Sequence, residues 1–441
     1  MTECNEMTQK GQHTAAPKLR FPEFRNAPGW TSKELRSIAN PVSERASDED
    51  ENNILTLSAE HGLVLQSEYF GKQVAGTNAE RYYKIQRDDF VYNDRTTKAS
   101  EYGTIKRLTK YPHGIVSLIY KCFRFQADET PIFWEYYFES GAHDWQLRNL
   151  ANEGARAGRF NVTIERFLST RVCSPPPISG EQQKIAECLS RLDELIEAES
   201  RKLDALKAHK KGLMQRLFPR EGETVPQLRF PEFRKAPGWN VCALSTLISS
   251  LDAGVSVNGG DRPASKSELG VLKTSAVTNG FFEPNENKVV LEATEQARLA
   301  EPVQADTIII SRMNTPALVG ASAYVHKSIP NLFLPDRLWA AKPRENVSMR
   351  FLSFVLGSDW GRTALAALAT GTSGSMKNIS KQDVLNLPVK VPTFHEQVRI
   401  AACLSSLDDL ITEQIDKLAA LRVHKRGLLQ QLFPSRSEIE P

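Results

Sequence analysis

No Gly-x-Gly triplet occurs anywhere in the 441 residues, and the one Pro-Pro run, Ser174-Pro-Pro-Pro-Ile178, is not the Asn/Asp-Pro-Pro-aromatic tetrad of an amino-methylating active site. A chain without either is not expected to methylate on its own. Gly71-Lys-Gln-Val-Ala-Gly76-Thr77 lacks the lysine of a phosphate-binding loop, which excludes a nucleotide motor of that type. The six cysteines (Cys4, Cys122, Cys173, Cys188, Cys242, Cys403) include no Cys-x-x-Cys pair and no partner histidines at metal spacing, so they read as reduced, structural thiols. No stretch reaches the roughly 18 apolar residues of a membrane span, and Met1 to Gln12 has no apolar core of a signal peptide. A cytoplasmic location without membrane attachment is the expectation. Glu286-x-Lys288 is a fragment of a nuclease-like motif that recurs by chance, and His209 and His424 stand beside basic residues on helices, where surface or interface roles suit them better than acid-base catalysis. No catalytic constellation and no metal site emerge.

The bulk numbers bound the rest. An apolar content of 40% and a charged content of 25% suit two or three ordinary cores in a multi-domain globular protein. The net charge of +3 is too small to mark a simple nucleic-acid-binding domain.

What is present is a duplication. Leu19-Arg-Phe-Pro-Glu-Phe-Arg-Asn-Ala-Pro-Gly-Trp30 returns at Leu228 to Trp239 with one change in twelve, Asn26 to Lys235. Glu181 to Pro219 matches Glu396 to Pro434 without a gap at 23 of 39 positions. Each copy holds the Phe-Pro-Glu-Phe segment, a variable stretch (31 to 160, 240 to 377), then the constant helical segment. Variable parts framed by constant parts suit a molecule that does one job twice on two targets.

The constant segments read as long helices with a coiled-coil seam. Ile185, Leu189, Leu192, Ile196, Leu203, Leu206, Leu213 and Leu217 alternate spacings of four and three, with Glu199 and Lys210 at the skipped positions. Ile400, Leu404, Leu407, Ile411, Leu418, Leu421, Leu428 and Leu432 repeat the pattern around Gln414 and Lys425. Ser179-x-x-Gln182 and Thr393-x-x-Glu396 offer capping boxes, Pro219 and Pro434 stop the helices, and Gly212 and Gly427 weaken their last turns. A helix of 37 residues spans roughly 55 Å, against about 34 to 36 Å for one duplex turn. Two seams in one chain most simply bury each other, although pairing between chains stays open, and heptads do not fix orientation.

The variable stretches mix short apolar runs such as Gly114 to Tyr120 and Thr307 to Ile310 with Gly and Asn turns, which predicts α/β domains. Asp89-Phe-Val-Tyr-Asn-Asp-Arg95 parallels Asp306-Thr-Ile-Ile-Ile-Ser-Arg312, and Phe133 to Phe138 parallels Phe351 to Leu356, so the two are expected to be diverged copies of one fold. Each also carries a small-residue loop, Glu153 to Arg159 and Gly371 to Lys377. Residues 81 to 124 hold ten Lys or Arg against four acids, a candidate DNA face, while Asp48 to Glu51 should face away from any duplex. Arg, Asn and Gln can make two bonds to one base edge, whereas lysines and other arginines hold phosphates. The candidate contacts are Arg95, Lys98, Lys106, Arg107, Arg156, Arg159, Arg312, Asn314, Ser373 and Lys377. A solvated face is the plainer reading of each, and core packing is the plainer reading of the aromatic run Phe133 to Phe138.

The ordered double set of Phe-Pro-Glu-Phe, Gly-Trp, Glu-Gln, Ile-Ala and Lys-Lys/Arg-Gly-Leu-x-Gln-x-Leu-Phe-Pro resembles the specificity subunit of type I restriction-modification systems over nearly the whole chain. The resemblance implies α/β target-recognition domains at 19–176 and 220–391, spacer helices at 177–219 and 392–434 paired as an antiparallel coiled coil, and tails at 1–18 (disordered) and 435–441. It implies that each domain reads half of a gapped site on double-stranded DNA, that the helices set the gap and dock two methyltransferase subunits, and that restriction/motor subunits join for cleavage. S-adenosylmethionine, ATP and Mg would belong to those partners and no cofactor to this chain. A silent specificity paralogue, or an adaptor whose variable domains bind proteins, are the other readings.

Overall fold

The computed structural model describes residues 14–47, 53–71, 81–96, 100–151, 161–370 and 376–439. The chain divides into two units, Met1–Ser200 with Asp416–Pro441, and Arg201–Ile415. Both boundaries fall inside the long helices Glu181–Leu217 and Phe394–Leu432.

Unit 1 holds two four-stranded sheets. One runs Ala39–Pro41, Lys121–Phe125, Phe90–Asn93, Thr104–Arg107; the other runs Gly62–Leu65, Ile54–Ser58, His113–Val116, Tyr83–Gln86. All pairings are antiparallel except Ile54–Ser58 with His113–Val116. Unit 2 has the same order in Leu251–Ala253, Leu338–Ala341, Thr307–Ser311, Ser322–Val325 and in Asn287–Val289, Gly270–Leu272, Ile329–Phe333, Pro302–Val303. Its single parallel pair, Gly270–Leu272 with Ile329–Phe333, stands at the same place in the order. The variable stretches are diverged copies of one α/β fold.

The helix Pro131–Glu139 packs its aromatic run into the unit 1 core, where Phe133 and Trp134 have no exposed surface. Met349–Gly357 does the same in unit 2. The plainer reading of the aromatic run holds: these rings are core, not base-stacking platforms.

Within each unit the long helices run antiparallel. In unit 1, Asp193 meets Lys425 at 2.8 Å and Glu199 meets Lys417 at 2.6 Å, partner numbers falling on one helix as they rise on the other. In unit 2, Lys210 pairs with Asp408. The lysines at the skipped seam positions thus hold the carboxylates of the opposite helix. All sixteen apolar seam residues are buried or half-buried. Among the described residues no helix is long and apolar enough to cross a membrane.

The expected N-terminal tail needs correction. Thr14–Ala15 is a strand paired antiparallel with Thr31 and Trp30, Ala15 is buried, and the Leu19 N–H donates to the Gln431 carbonyl at 3.0 Å. The apolar Ala15 methyl fills a gap in the unit 1 core, and that holds the strand. Arg436–Ile439 beyond the second helix is a short helical turn with the Arg436 guanidinium over the Trp145 ring at 5.4 Å.

Candidate nucleic-acid interface

The constant segments lock each α/β domain to its helices through one arrangement used twice. Arg20 donates from Nε and Nη2 to the two carboxylate oxygens of Glu181 at 2.7 and 2.6 Å, and to the carbonyls of Ala27 and Pro28, both at 2.9 Å. Arg229 does the same to Glu396 at 2.8 and 2.7 Å and to the carbonyls of Ala236 and Pro237 at 2.7 and 3.0 Å. Both carboxylates are almost fully buried. The neighbouring Gln182 accepts from the N–H of Thr130 at 3.1 Å, and Gln397 from that of Ser348 at 3.0 Å. Thr130 and Ser348 are the N-caps of the two domain helices, so the Glu-Gln dipeptide fixes both the chain entering a domain and the first helix leaving its sheet. Trp30 packs edge-on against Phe133 and Phe433, and Trp239 against Phe351 and Phe218.

On this frame unit 2 gathers several predicted contacts. Arg312 ends the central strand; its N–H donates to the Arg337 carbonyl at 3.0 Å, and its carbonyl accepts from the Ile379 N–H at 2.9 Å. Met313–Asn314 pairs antiparallel with Lys377–Asn378, so Arg312, Asn314 and Lys377 sit together. Thr370 and Asn378 exchange backbone hydrogen bonds at 2.9 and 3.0 Å. The Arg312 guanidinium lies 5.7 Å from the Trp339 ring centroid, and its Nε is buried without a partner among the described residues, as is Oδ1 of Asn378. Asn314 is buried; its amide donates to Ser311 Oγ at 3.3 Å and its Oδ1 accepts from the Thr315 N–H at 2.9 Å, so it holds the turn. Ser373 lies outside the described residues.

Unit 1 gathers fewer. Arg95 is exposed past the end of the matching central strand, with its N–H on Asn93 Oδ1 at 3.2 Å. Lys106 and Arg107 lie on the adjacent strand, but Arg107 is already paired with Asp88 and with Glu135 at 2.6 Å. Arg124 is likewise held by Asp89 at 2.6 Å and Lys121 by Asp94 at 2.6 Å. Internal pairs therefore absorb part of the basic stretch 81–124. Lys98, Arg156 and Arg159 lie outside the described residues, as do the whole acidic run Asp48 to Glu51 and most of the stretch 71–77. Sequence reasoning missed Arg337, exposed beside Arg312, and Asn378, which pairs next to it. It also missed the Arg20–Glu181 and Arg229–Glu396 pairs, although both residues were visible as invariant members of the repeats. Among the described residues no group of three or more His, Cys, Asp or Glu side chains is arranged to hold a metal ion.

Comparison with known proteins supplies the rest. Residues 254–420 match the family described as type I restriction modification DNA specificity domain. The chain is 26% identical over 174 residues to the type I restriction enzyme EcoEI specificity subunit of Escherichia coli, covering 39% of this chain and 29% of that protein. It is 24% identical over 294 residues to the MjaVIII specificity subunit of Methanocaldococcus jannaschii, covering 63% of this chain and 65% of that one. The alignments thus span less than two thirds of either relative. The crystal structure of a type I restriction-modification S subunit from M. genitalium has the same fold, with a TM-score of 0.58 over 95% of this chain and 99% of that one at 15% identity.

Proposed function

We propose that this chain, whose residues 254–420 match the type I restriction modification DNA specificity domain, is a specificity subunit of a type I restriction-modification system, and that each recognition domain reads one half of a bipartite, gapped site on double-stranded DNA. The observation that carries this reading is the contrast between two domains of one topology with divergent sequences and the repeated Arg–Glu lock that seats them on constant helices. A protein reading one symmetric site twice would have no reason to diverge in its domains while keeping its frame. In unit 2 the reader is Arg312, backed by Trp339 and flanked by Lys377; in unit 1 it is Arg95 with Lys106. The helices set the gap and dock two methyltransferase subunits, and restriction/motor subunits complete the cleaving complex in the cytoplasm. Catalysis, S-adenosylmethionine, ATP and Mg belong to those partners.

The test is a genome-wide methylation profile of the host with and without this gene. Loss of one gapped, two-part methylated motif is expected; an unchanged profile in a host with an intact methyltransferase gene would remove the proposal. Arg312→Ala should cost about 1–3 kcal/mol at one half-site and leave the other unaffected, measured with duplexes mutated in each half. Equal loss at both halves would count against independent readers. Duplex affinity should fall steeply as salt rises, and a flat salt dependence would favour the protein-adaptor reading.

A further inference from the structure

Unit 2 carries an open groove of about 760 Å³, whose lining does not include Arg312. It opens at the N-terminal end of the helix Asp359–Ala367. Its apolar floor includes Trp360 and Phe281, which are 40% and 47% exposed, with the Lys210 ammonium 5.9 Å from the Phe281 ring centroid. Along its rim stand Lys207, Lys211, Arg216 and Arg220, all exposed, against the single acid Asp359, which is 3.3 Å from Lys211. Lys207 and Arg216 form no ion pair among the described residues.

The other unit shows that this is not simply how the fold ends. Asp144-Trp145 begins the helix Asp144–Ala151 as Asp359-Trp360 begins its counterpart. In unit 1 the chain itself covers the indole, with Arg436 of the short turn Arg436–Ile439 stacked over Trp145. In unit 2 the chain beyond the first long helix runs along the edge of the groove at Pro219 and Arg220, its Arg220 and Glu223 carbonyls held by Lys390 at 2.8 and 2.6 Å, and leaves Trp360 40% exposed. Trp360 is left open beside a row of cations.

Exposed aromatic rings beside a row of cations, two of which (Lys207 and Arg216) form no ion pair among the described residues, are what an unpaired nucleic-acid strand needs. Bases stack on the rings whatever their sequence, and the phosphates sit on the lysines and arginines. The geometry points to a sequence-independent groove for single-stranded DNA in unit 2, with Trp360 and Phe281 as its stacking faces. This goes beyond half-site reading: the ligand is an unpaired strand, and no base edge is read. An acidic protein segment would satisfy the cations but has no need of two exposed aromatic rings.

The test uses the full chain with a fluorescently labelled twelve-residue oligothymidylate, followed by anisotropy. Trp360→Ala should weaken binding about tenfold, and Lys207→Glu with Arg216→Glu should weaken it and flatten its salt dependence. Neither change should alter discrimination between cognate and mutated half-sites, whereas Arg312→Ala should do the reverse, so the two proposals fail separately. All three substituted side chains are exposed, so the fold should tolerate the changes. Oligothymidylate binding indifferent to both variants overturns the proposal. So does displacement by polyglutamate that Trp360→Ala does not affect, which would assign the groove to an acidic protein.

Discussion

Around the strand Phe90–Asn93, unit 1 packs Phe90, Phe123, Phe125, Trp134 and Phe167 into one aromatic cluster, with Phe125 stacked on Trp134 at 4.7 Å and Tyr92 on Phe167 at 4.8 Å. Around Thr307–Ser311, unit 2 packs Ile308, Ile310, Leu352, Val355 and Leu365 in the same topology. One interior is built from rings and the other largely from branched aliphatics, yet strand order and the one parallel pair are unchanged. Cores tolerate such exchange when volume and pattern are kept. What the two units share in detail lies elsewhere: the Arg–Glu lock, the Gln on the helix N-cap, the Trp between two Phe rings and the Lys across the helix pair. The frame is specified by polar geometry, which admits few alternatives. The interior is specified by burial, which admits many, and so the sequence of each domain can vary without disturbing its seat.

If the lock is the same device in both units, breaking it should cost the same in both. Arg20→Ala and Arg229→Ala each leave a buried carboxylate without its partner, and each should destabilise its own unit by about 3–5 kcal/mol. Peptide-resolved hydrogen exchange reads the units separately and should show protection lost in unit 1 for Arg20→Ala and in unit 2 for Arg229→Ala. Adding Glu181→Gln or Glu396→Gln should recover part of the loss, since no buried charge is then left alone. A large effect in one unit and none in the other would end the claim of equivalence.

Acid should separate the units. Unit 1 buries His143 where unit 2 has Ser358, the residue that caps its helix. Nε2 of His143 lies 3.1 Å from Thr170 Oγ1, the Phe138 and Phe167 rings flank it, and burial holds its pKa down at about 3. In the unfolded chain the ring takes a proton near pH 6.5, so between that value and about 3 the unfolded state binds the extra proton and unit 1 loses stability as pH falls. The loss should reach about 2 kcal/mol by pH 5. His326 in unit 2 is lowered too, by burial and by Arg350, but its ring is exposed enough to accept the proton without unfolding. Hydrogen exchange at pH 7 and pH 5 should show unit 1 loosening more, and His143→Gln should reduce the difference. Equal loosening would mean that the shared carboxylate pairs, not this histidine, set acid lability.

The residues show why some of this was legible in the sequence and some was not. Helix seam, repeat and strand runs rest on local periodicity, so Ile185 to Leu217 and Thr307 to Ile310 could be placed from spacing alone. Arg20 and Glu181 are 161 residues apart in the chain. Their invariance between the copies was visible, but only the fold brings them within hydrogen-bond distance. The basic stretch 81–124 misled in part because charge counts ignore pairing: Arg107, Lys121 and Arg124 face carboxylates of their own unit. Asn314 looked like a base reader and is instead the buried brace of a turn, because a side chain that can form two bonds to a base can equally form them to its own backbone.

The smallest effect is also the sharpest check on the helix pair. Gly212 and Gly427 occupy matching positions on the two long helices, and a Cβ added at either meets nothing within 4 Å. Glycine inside a helix costs about 0.5–1 kcal/mol relative to alanine through lost backbone entropy, with no packing gain at either site to offset it. Gly212→Ala should therefore stabilise unit 2, and Gly427→Ala unit 1, by about that amount, and the double substitution should add because the sites share no contact within a unit. Thermal and urea unfolding of the three variants measures it. A loss at either site would contradict the backbone-entropy account; Gly212 also lines the groove of unit 2. The same pair of substitutions, assayed with oligothymidylate, would then show whether a methyl group at Gly212 blocks the strand that Trp360 is proposed to stack.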